Sequence, residues 1–206
     1  MKPLRLFLLS SNSYLYDPAL PMPFDLKSLK MAYITTASKG APNTAYVERM
    51  RTHLSEQNIA YEEVDLDGKT PAELSRILSD KDIVFMEGGN AFYLMNSIRQ
   101  SGFERVLKEH LQKGLIYMSA CAGTQVATPM LALANWRHKD YYSSFGVDDH
   151  TAMALVPFLI VGHYNSEQKD LVDEMISGIT YPVRTLTDRQ AIYVVDGEIK
   201  LFGDDL

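Results

Sequence analysis

Short apolar runs alternate along the chain with longer segments of helical periodicity. Leu4 to Leu9, Met31 to Thr35 and Ile83 to Met86 are compact apolar runs of strand length. Ile59 to Val64 is another, carrying Glu62 and Glu63 and closed by Asp67-Gly68. Between these runs, Thr44 to Gln57 sets Tyr46, Val47, Met50 and Leu54 at helical spacing, and Pro71 opens a short helix through Leu74, Ile77 and Leu78. Two further helices, Ala91 to Gln100 and Phe103 to Gln112, break at Ser101-Gly102. Leu115 to Ser119 reads as a buried strand, and Thr124 to Ala127 begins a new helical pattern.

Later in the chain, Phe158 to Val161, Val183 to Leu186 and Ala191 to Val195 are strands. Asp196-Gly197 makes a hairpin turn that pairs Ile199 to Phe202 back. Glu167 to Ile176 is a helix with Ser166 as its N-cap. Ser10 to Pro23, rich in Pro, Asn and Asp, reads as a loop. Asn135 to Thr151 has no sustained period and reads as a surface excursion. Strands alternating with helices predict an α/β fold, a three-layer sandwich whose mainly parallel sheet is flanked by helices, with a mixed edge at the C-terminal hairpin. No repeat, linker or low-complexity segment interrupts it, so residues 1–206 are expected to form one domain.

Composition narrows the function. With 206 residues, 46% hydrophobic, 22% charged and net charge −6, the chain has no basic run to suit nucleic acid. No apolar run approaches the roughly 18 residues needed to span a bilayer. A single cysteine rules out an internal disulfide, and with no leader-like N-terminus this fits a cytoplasmic location. No His pair has metal-ligand spacing, so neither metal nor other cofactor is expected.

The single cysteine stands at the most informative position. Ser119-Ala-Cys121-Ala-Gly123 follows the buried strand and precedes the helix. This is nucleophile-elbow spacing, with Cys at the nucleophile position and Ser in place of the first Gly. A sharp strand-to-helix turn leaves room only for small residues two positions either side of its apex. It also points helix N–H groups at the nucleophile, favouring a thiolate and an oxyanion. The alternative is a buried, inert structural cysteine.

In parallel sheets, sites lie beyond the strands' carboxyl ends, and three distinctive stretches fall there: Glu87-Gly88-Gly89-Asn90, Ser119-Ala120-Cys121 and Gly162-His163-Tyr164-Asn165. Gly88 and Gly89, with the N–H of Ala122, are candidate oxyanion donors; a plain strand-to-helix turn is the alternative for the glycines. His163 is the candidate base, and Asp188 the first choice to orient it, ahead of Asp140, Asp148 and Asp149. His53 and His110 are assigned to polar helix faces, and His138 and His150 to the excursion. Glu87 is placed to contact substrate or the cysteine.

These three stretches together resemble the peptidase E (aspartyl dipeptidase) family, of the class I glutamine amidotransferase-like fold. Glu87 to Leu94, Gly114 to Pro129 and Gly162 to Asn165 carry the likeness, which extends from about Leu4 to the C-terminal hairpin. The resemblance implies a hydrolase of short peptides with Cys121 where the family has its nucleophilic serine. It further implies His163 as catalytic histidine, Asp188 as the triad acid, and Gly88 or Gly89 with Ala122 as oxyanion hole. An Asp that some members carry beyond the nucleophile is replaced by Asn135-Trp136.

Asn90, Glu87 and Thr124 are expected beside the substrate, a small peptide or amino-acid-like molecule. Preference for an aspartyl group would need a cation such as Arg137, Arg184 or Arg189. The cysteine also admits a glutaminase-like amidase or acyl transferase, or a redox-sensing or ligand-binding protein without turnover. The aromatic stretch from Trp136 to Phe145 suggests a homodimer contact.

Overall fold

In the computed structural model, residues 2–134, 136 and 148–204 are described. Nine strands are assigned among them: β1 (Arg5–Leu9), β2 (Met31–Ile34), β3 (Tyr61–Val64), β4 (Ile83–Met86), β5 (Ile116–Ala120), β6 (Leu159–Val161), β7 (Val183–Thr185), β8 (Gln190–Val195) and β9 (Glu198–Gly203). The helices are α1 (Ser13–Tyr16), α2 (Ala45–Glu56), α3 (Pro71–Leu78), α4 (Ala91–Ser101), α5 (Phe103–Gln112), α6 (Ala122–Val126) and α7 (Lys169–Ile176).

Seven strands make one sheet in the order β3-β2-β4-β5-β1-β8-β9. Its first five strands are mutually parallel. β8 runs antiparallel to β1, and β9 antiparallel to β8, which makes the mixed edge.

The alternation of side chains along a strand explains why both faces are covered. In β1, Leu6 and Leu8 enter a core with α3, α4, α5 and α6, while Phe7 and Leu9 enter a second core with Tyr14 of α1 and Val47, Met50 and Leu54 of α2. Every residue of β2, β4 and β5 is buried. Local chemistry agrees with this plan. Thr70 and Glu73 form a reciprocal capping box ahead of Pro71, and Gly102 takes a left-handed conformation (φ 67°) between α4 and α5.

Three expectations need correction. β6 and β7 lie outside the main sheet and pair with each other in a separate two-stranded parallel sheet, packed with α7 around Leu133, Leu159, Val161 and Val172. The stretch predicted as loop after β1 contains α1. Ser166 does not cap the following helix: Ser166–Gln168 is a 3-10 turn, Asn165 stands at its N-cap position without a side-chain cap bond, and α7 begins after Gln168. Of the surface excursion, only Trp136 and residues 148–151 are described. Arg137, His138, Asp140 and nearly all of the suggested dimer contact lie outside the described residues. Among the described residues, no helix is long and apolar enough to cross a membrane.

Candidate active site

The site assembles at the carboxyl ends of β1, β4 and β5. Cys121 follows β5 directly and precedes α6, with φ 47° and ψ −110°. A non-glycine residue held there is strained, and such strain persists only where the surroundings enforce it. Tyr117 donates its hydroxyl to the Gly123 carbonyl at 2.6 Å. The Ser119 and Thr124 hydroxyls meet at 2.9 Å, and Thr124 donates to the Leu9 carbonyl at 2.7 Å. Gly123 lies so close to β4 that a Cβ would come 2.2 Å from the Met86 carbonyl oxygen. The glycine two residues past the apex is therefore sterically required. With five residues, α6 has little summed dipole, so its N-terminal effect reduces to its first individual N–H groups.

His163 follows β6, with φ 55°. Its Nδ1 lies 2.6 Å from Asp188 Oδ1, and it lines the same cleft as Cys121, whose side chain acts on it electrostatically. Burial alone would lower the His163 pKa, but the Asp188 bond and the Cys121 contact outweigh it and push the pKa up to about 10. Asp188 sits in the β7–β8 loop. Ser10, at the end of β1, ties this arrangement to the main sheet: its Oγ accepts the His163 backbone N–H at 2.6 Å and donates to Asp188 Oδ1 at 3.2 Å. Thus β6, though outside the main sheet, is anchored at the sheet's carboxyl edge.

A cleft of about 420 Å³ opens at this point, lined in part by Cys121, His163, Glu87, Gly88, Gly89, Asn12, Tyr16 and Arg49. A Cβ on Gly88 would lie 3.2 Å from the Cys121 Cβ, so a side chain there would crowd the nucleophile position. Gly89 has φ 136°, and a Cβ there would strike the Ala37 carbonyl. The Gly88 N–H donates to the Glu87 carboxylate at 2.6 Å. Glu87 also accepts from Asn12 Nδ2 at 2.6 Å and from the Tyr33 hydroxyl. It is fully buried, and burial drives its pKa above the usual carboxylate range against these three bonds.

Other expected residues are engaged elsewhere. Asn90 is buried as the N-cap of α4, accepting the Tyr93 N–H at 3.0 Å and donating to the Gly40 carbonyl at 3.3 Å; it does not line the cleft. Thr124 faces a small void of about 30 Å³ shared with Gln125, Trp136, Cys121 and His163. His110 is buried rather than on a polar face, because α5 packs against α3 and brings its ring within 3.2 Å of the Ser75 hydroxyl. Asp149 pairs with Arg99 at 3.1 Å. Arg184 lies over the Phe158 ring, and Arg189 pairs with Asp17 and Asp204, so neither lines the cleft.

Arg49, which helical periodicity places on the polar side of α2, is instead the cleft's arginine. Asn12, Tyr16 and Ser10 were equally unmarked. The available signal was position, since the first residues after a parallel strand's carboxyl end commonly line a site. Among the described residues, no group of three or more His, Cys, Asp or Glu side chains is arranged to hold a metal ion.

Comparison with known proteins decides the family: the model of Peptidase family S51 matches residues 7–202. The chain belongs to this family. Among its relatives, an uncharacterized peptidase of Pasteurella multocida, PM1590, is 28% identical over 204 residues, covering 96% of each chain. Peptidase E of Streptomyces coelicolor is 28% identical over 163 residues, covering 79% of this chain and 60% of the relative. A Listeria monocytogenes structure, solved under a provisional peptidase E designation, superposes with a TM-score of 0.80 at 22% identity, covering 98% of this chain and 100% of that one. It shares the fold, the class I glutamine amidotransferase-like α/β sandwich. The S51 family is normally serine-based, whereas this S51 chain carries Cys121 at the elbow.

Proposed function

We propose that this S51 chain hydrolyses short peptides, with Cys121 as nucleophile, His163 as general base and acid, and Asp188 as the group that orients the imidazole. The observation that carries the reading is His163 bonded to Asp188 at 2.6 Å while it shares with Cys121 the wall of a cleft sized for a small substrate. The Cys121 Sγ, its proton already held on His163, attacks the peptide carbonyl carbon as a thiolate. Asp188 balances the imidazolium that results. The carbonyl oxygen becomes an oxyanion held by the Ala122 N–H and a turn glycine. Of the two glycines, Gly88 abuts Cys121 but donates to Glu87, while the Gly89 N–H carries no acceptor among the described residues. Collapse breaks the C–N bond, and His163 returns the proton to the leaving amine. Water, deprotonated by His163, then cleaves the thioester and restores the thiol.

Arg49 belongs to this reading as the cation available to a substrate carboxylate, having no ion-pair partner among the described residues. The test is a panel of dipeptides that includes Asp-Leu and Ala-Leu, with free glutamine added to probe amidase chemistry. Release of amino acids by the wild-type protein, abolished in Cys121→Ala, is expected. Undiminished release by that variant contradicts the assignment. Cleavage of glutamine but of no dipeptide would replace peptidase by amidase.

A further inference from the structure

The pole of the sheet opposite the cleft carries a second concave region. At the amino ends of β1, β4 and β5, a pocket of about 350 Å³ is lined in part by Lys2, Arg5, Lys81, Lys113, His110 and Asp82. Four cations against one carboxylate is a local reversal in a chain whose net charge is −6. Three of the cations converge on Gly114. The Lys2 stem crosses it so closely that a Cβ there would come 2.4 Å from the Lys2 Cδ. Arg5 donates through Nη2 to the Gly114 carbonyl at 3.0 Å, and Lys113 precedes the glycine as the C-cap of α5.

These charges are not balanced from within. Lys81 pairs with Glu62, at 2.9 Å, and with Asp80. Lys2, Arg5 and Lys113 have no ion-pair partner among the described residues. Asp82 gives one oxygen to the Lys30 N–H at 2.9 Å. Helices α3 and α5 end at this pole, and the partial negative charge of their ends attracts cations. Yet the carbonyls there already hold backbone donors. Leu78 accepts from Lys81, His110 from Lys113 and Leu115, and Leu111 from Gly114. The Arg5 Nε–H is buried and has no acceptor. Buried donors are nearly always paired, so an orphan on a residue that lines a cationic pocket marks where an acceptor belongs.

The chemistry of that acceptor follows from the surrounding groups. A water would take the Nε–H and leave the cations unbalanced. A carboxylate supplies one charge and two oxygens in one plane. A phosphate group carries close to two charges at neutral pH and three terminal oxygens that point in different directions. That suits one guanidinium and two ammonium groups approaching from different elements.

We propose that Lys2, Arg5 and Lys113 bind the phosphate group of a small molecule, either inorganic phosphate or a phosphomonoester, at the pole of the sheet opposite Cys121. The inference is independent of the hydrolase reading.

The test is calorimetric titration with inorganic phosphate, glycerol phosphate and succinate at one ionic strength, in wild type, Arg5→Met and Lys113→Met. Binding of a phosphate probe with Kd of about 1 mM or below is expected. Arg5→Met should weaken it by about tenfold or more, and Lys113→Met by about threefold or more. Lys113 is exposed, so its variant keeps the test open should Arg5→Met fold poorly. Nuclear magnetic resonance locates the site: the Gly114 amide and the His110 ring should shift on titration, and the Gly89 and Cys121 amides should not. Burial and Lys113 hold the His110 pKa down, and a bound anion should raise it. Tighter binding of glycerol phosphate assigns the site to a phosphomonoester, and equal or tighter binding of inorganic phosphate assigns it to the free ion. Succinate binding as tightly as either overturns the phosphate assignment. No binding up to about 10 mM, shifts confined to the cleft, or affinity unchanged in both variants overturns the site.

Discussion

Of the places where non-glycine residues take positive φ, the β8–β9 hairpin and the β5–α6 elbow make the sharpest contrast. The β8–β9 hairpin turns through Asp196 (φ 49°) and Gly197 (φ 87°), residue types that adopt this conformation at little cost. The turn is open: a Cβ on Gly197 would meet nothing within 4 Å, and the Asp196 carboxylate accepts the Leu4 N–H at 2.8 Å. The β5–α6 elbow turns through Cys121 (φ 47°, ψ −110°), a residue with no intrinsic preference for that geometry, and Gly123 beyond it is pressed against the Met86 carbonyl. At the hairpin, residue type and backbone agree. At the elbow they disagree, and packing from Tyr117, Thr124 and β4 holds the disagreement in place. Strain that the residue type does not explain is where chemistry should be sought.

The largest effect that would break this comparison is on turnover. Cys121→Ala keeps the strained turn but removes the sulfur, and peptide hydrolysis is expected to fall to background in the dipeptide assay. Next comes a paired substitution. Gly123→Ala drives a Cβ to within 2.2 Å of a backbone oxygen and should destabilise the fold by about 3 kcal/mol or more, whereas Gly197→Ala at the open hairpin should cost about 1 kcal/mol. Denaturant melts of both variants check this, and equal losses would erase the distinction between the turns.

A smaller effect comes from His163. Its pKa in the folded protein, about 10, lies above the ordinary 6.5, so its pairing contributes stability that is complete below about pH 6.5 and is lost as pH rises toward 10. Asp188→Asn should remove about 2 kcal/mol at pH 6 and much less at pH 10. Melts across that range report the difference, and a pH-independent loss would contradict the pairing. The smallest effect has the opposite sign: Cys121→Gly should relieve the backbone and stabilise the protein by about 1 kcal/mol while abolishing turnover.

The same contrast explains what could be read in advance. β4, bounded by charged and glycine residues, and the elbow, bounded by small ones, stood out because their apolar runs end abruptly. Cys121, Gly88, His163 and Asp188 fall on or just beyond such ends, and the fold brings them together. Position within the sheet was harder: β6 is as apolar as β4, yet among the described residues it pairs with β7 outside the main sheet, since a short apolar run does not specify its partner. Asn12 and Tyr16 sat in a turn-rich stretch with no period, and only three-dimensional packing reveals their place in the cleft wall. Arg49 was hidden by the opposite effect, an exposed helical face that happens to border the cleft. Asn90 misled because a cap residue and a substrate ligand look alike after a Gly-Gly turn.

The central claim is that Cys121 and His163 act as a pair. The most direct measurement is the rate of Cys121 alkylation by iodoacetamide against pH, in the wild-type protein and in His163→Ala. The chain has a single cysteine, so the reaction reports one site. A thiolate paired with an imidazolium should alkylate rapidly below pH 7, and His163→Ala should lose that low-pH reactivity. Slow alkylation with the same ordinary thiol titration near pH 8.5 in both proteins would contradict the pair, and would leave the elbow as a strained turn without its chemistry.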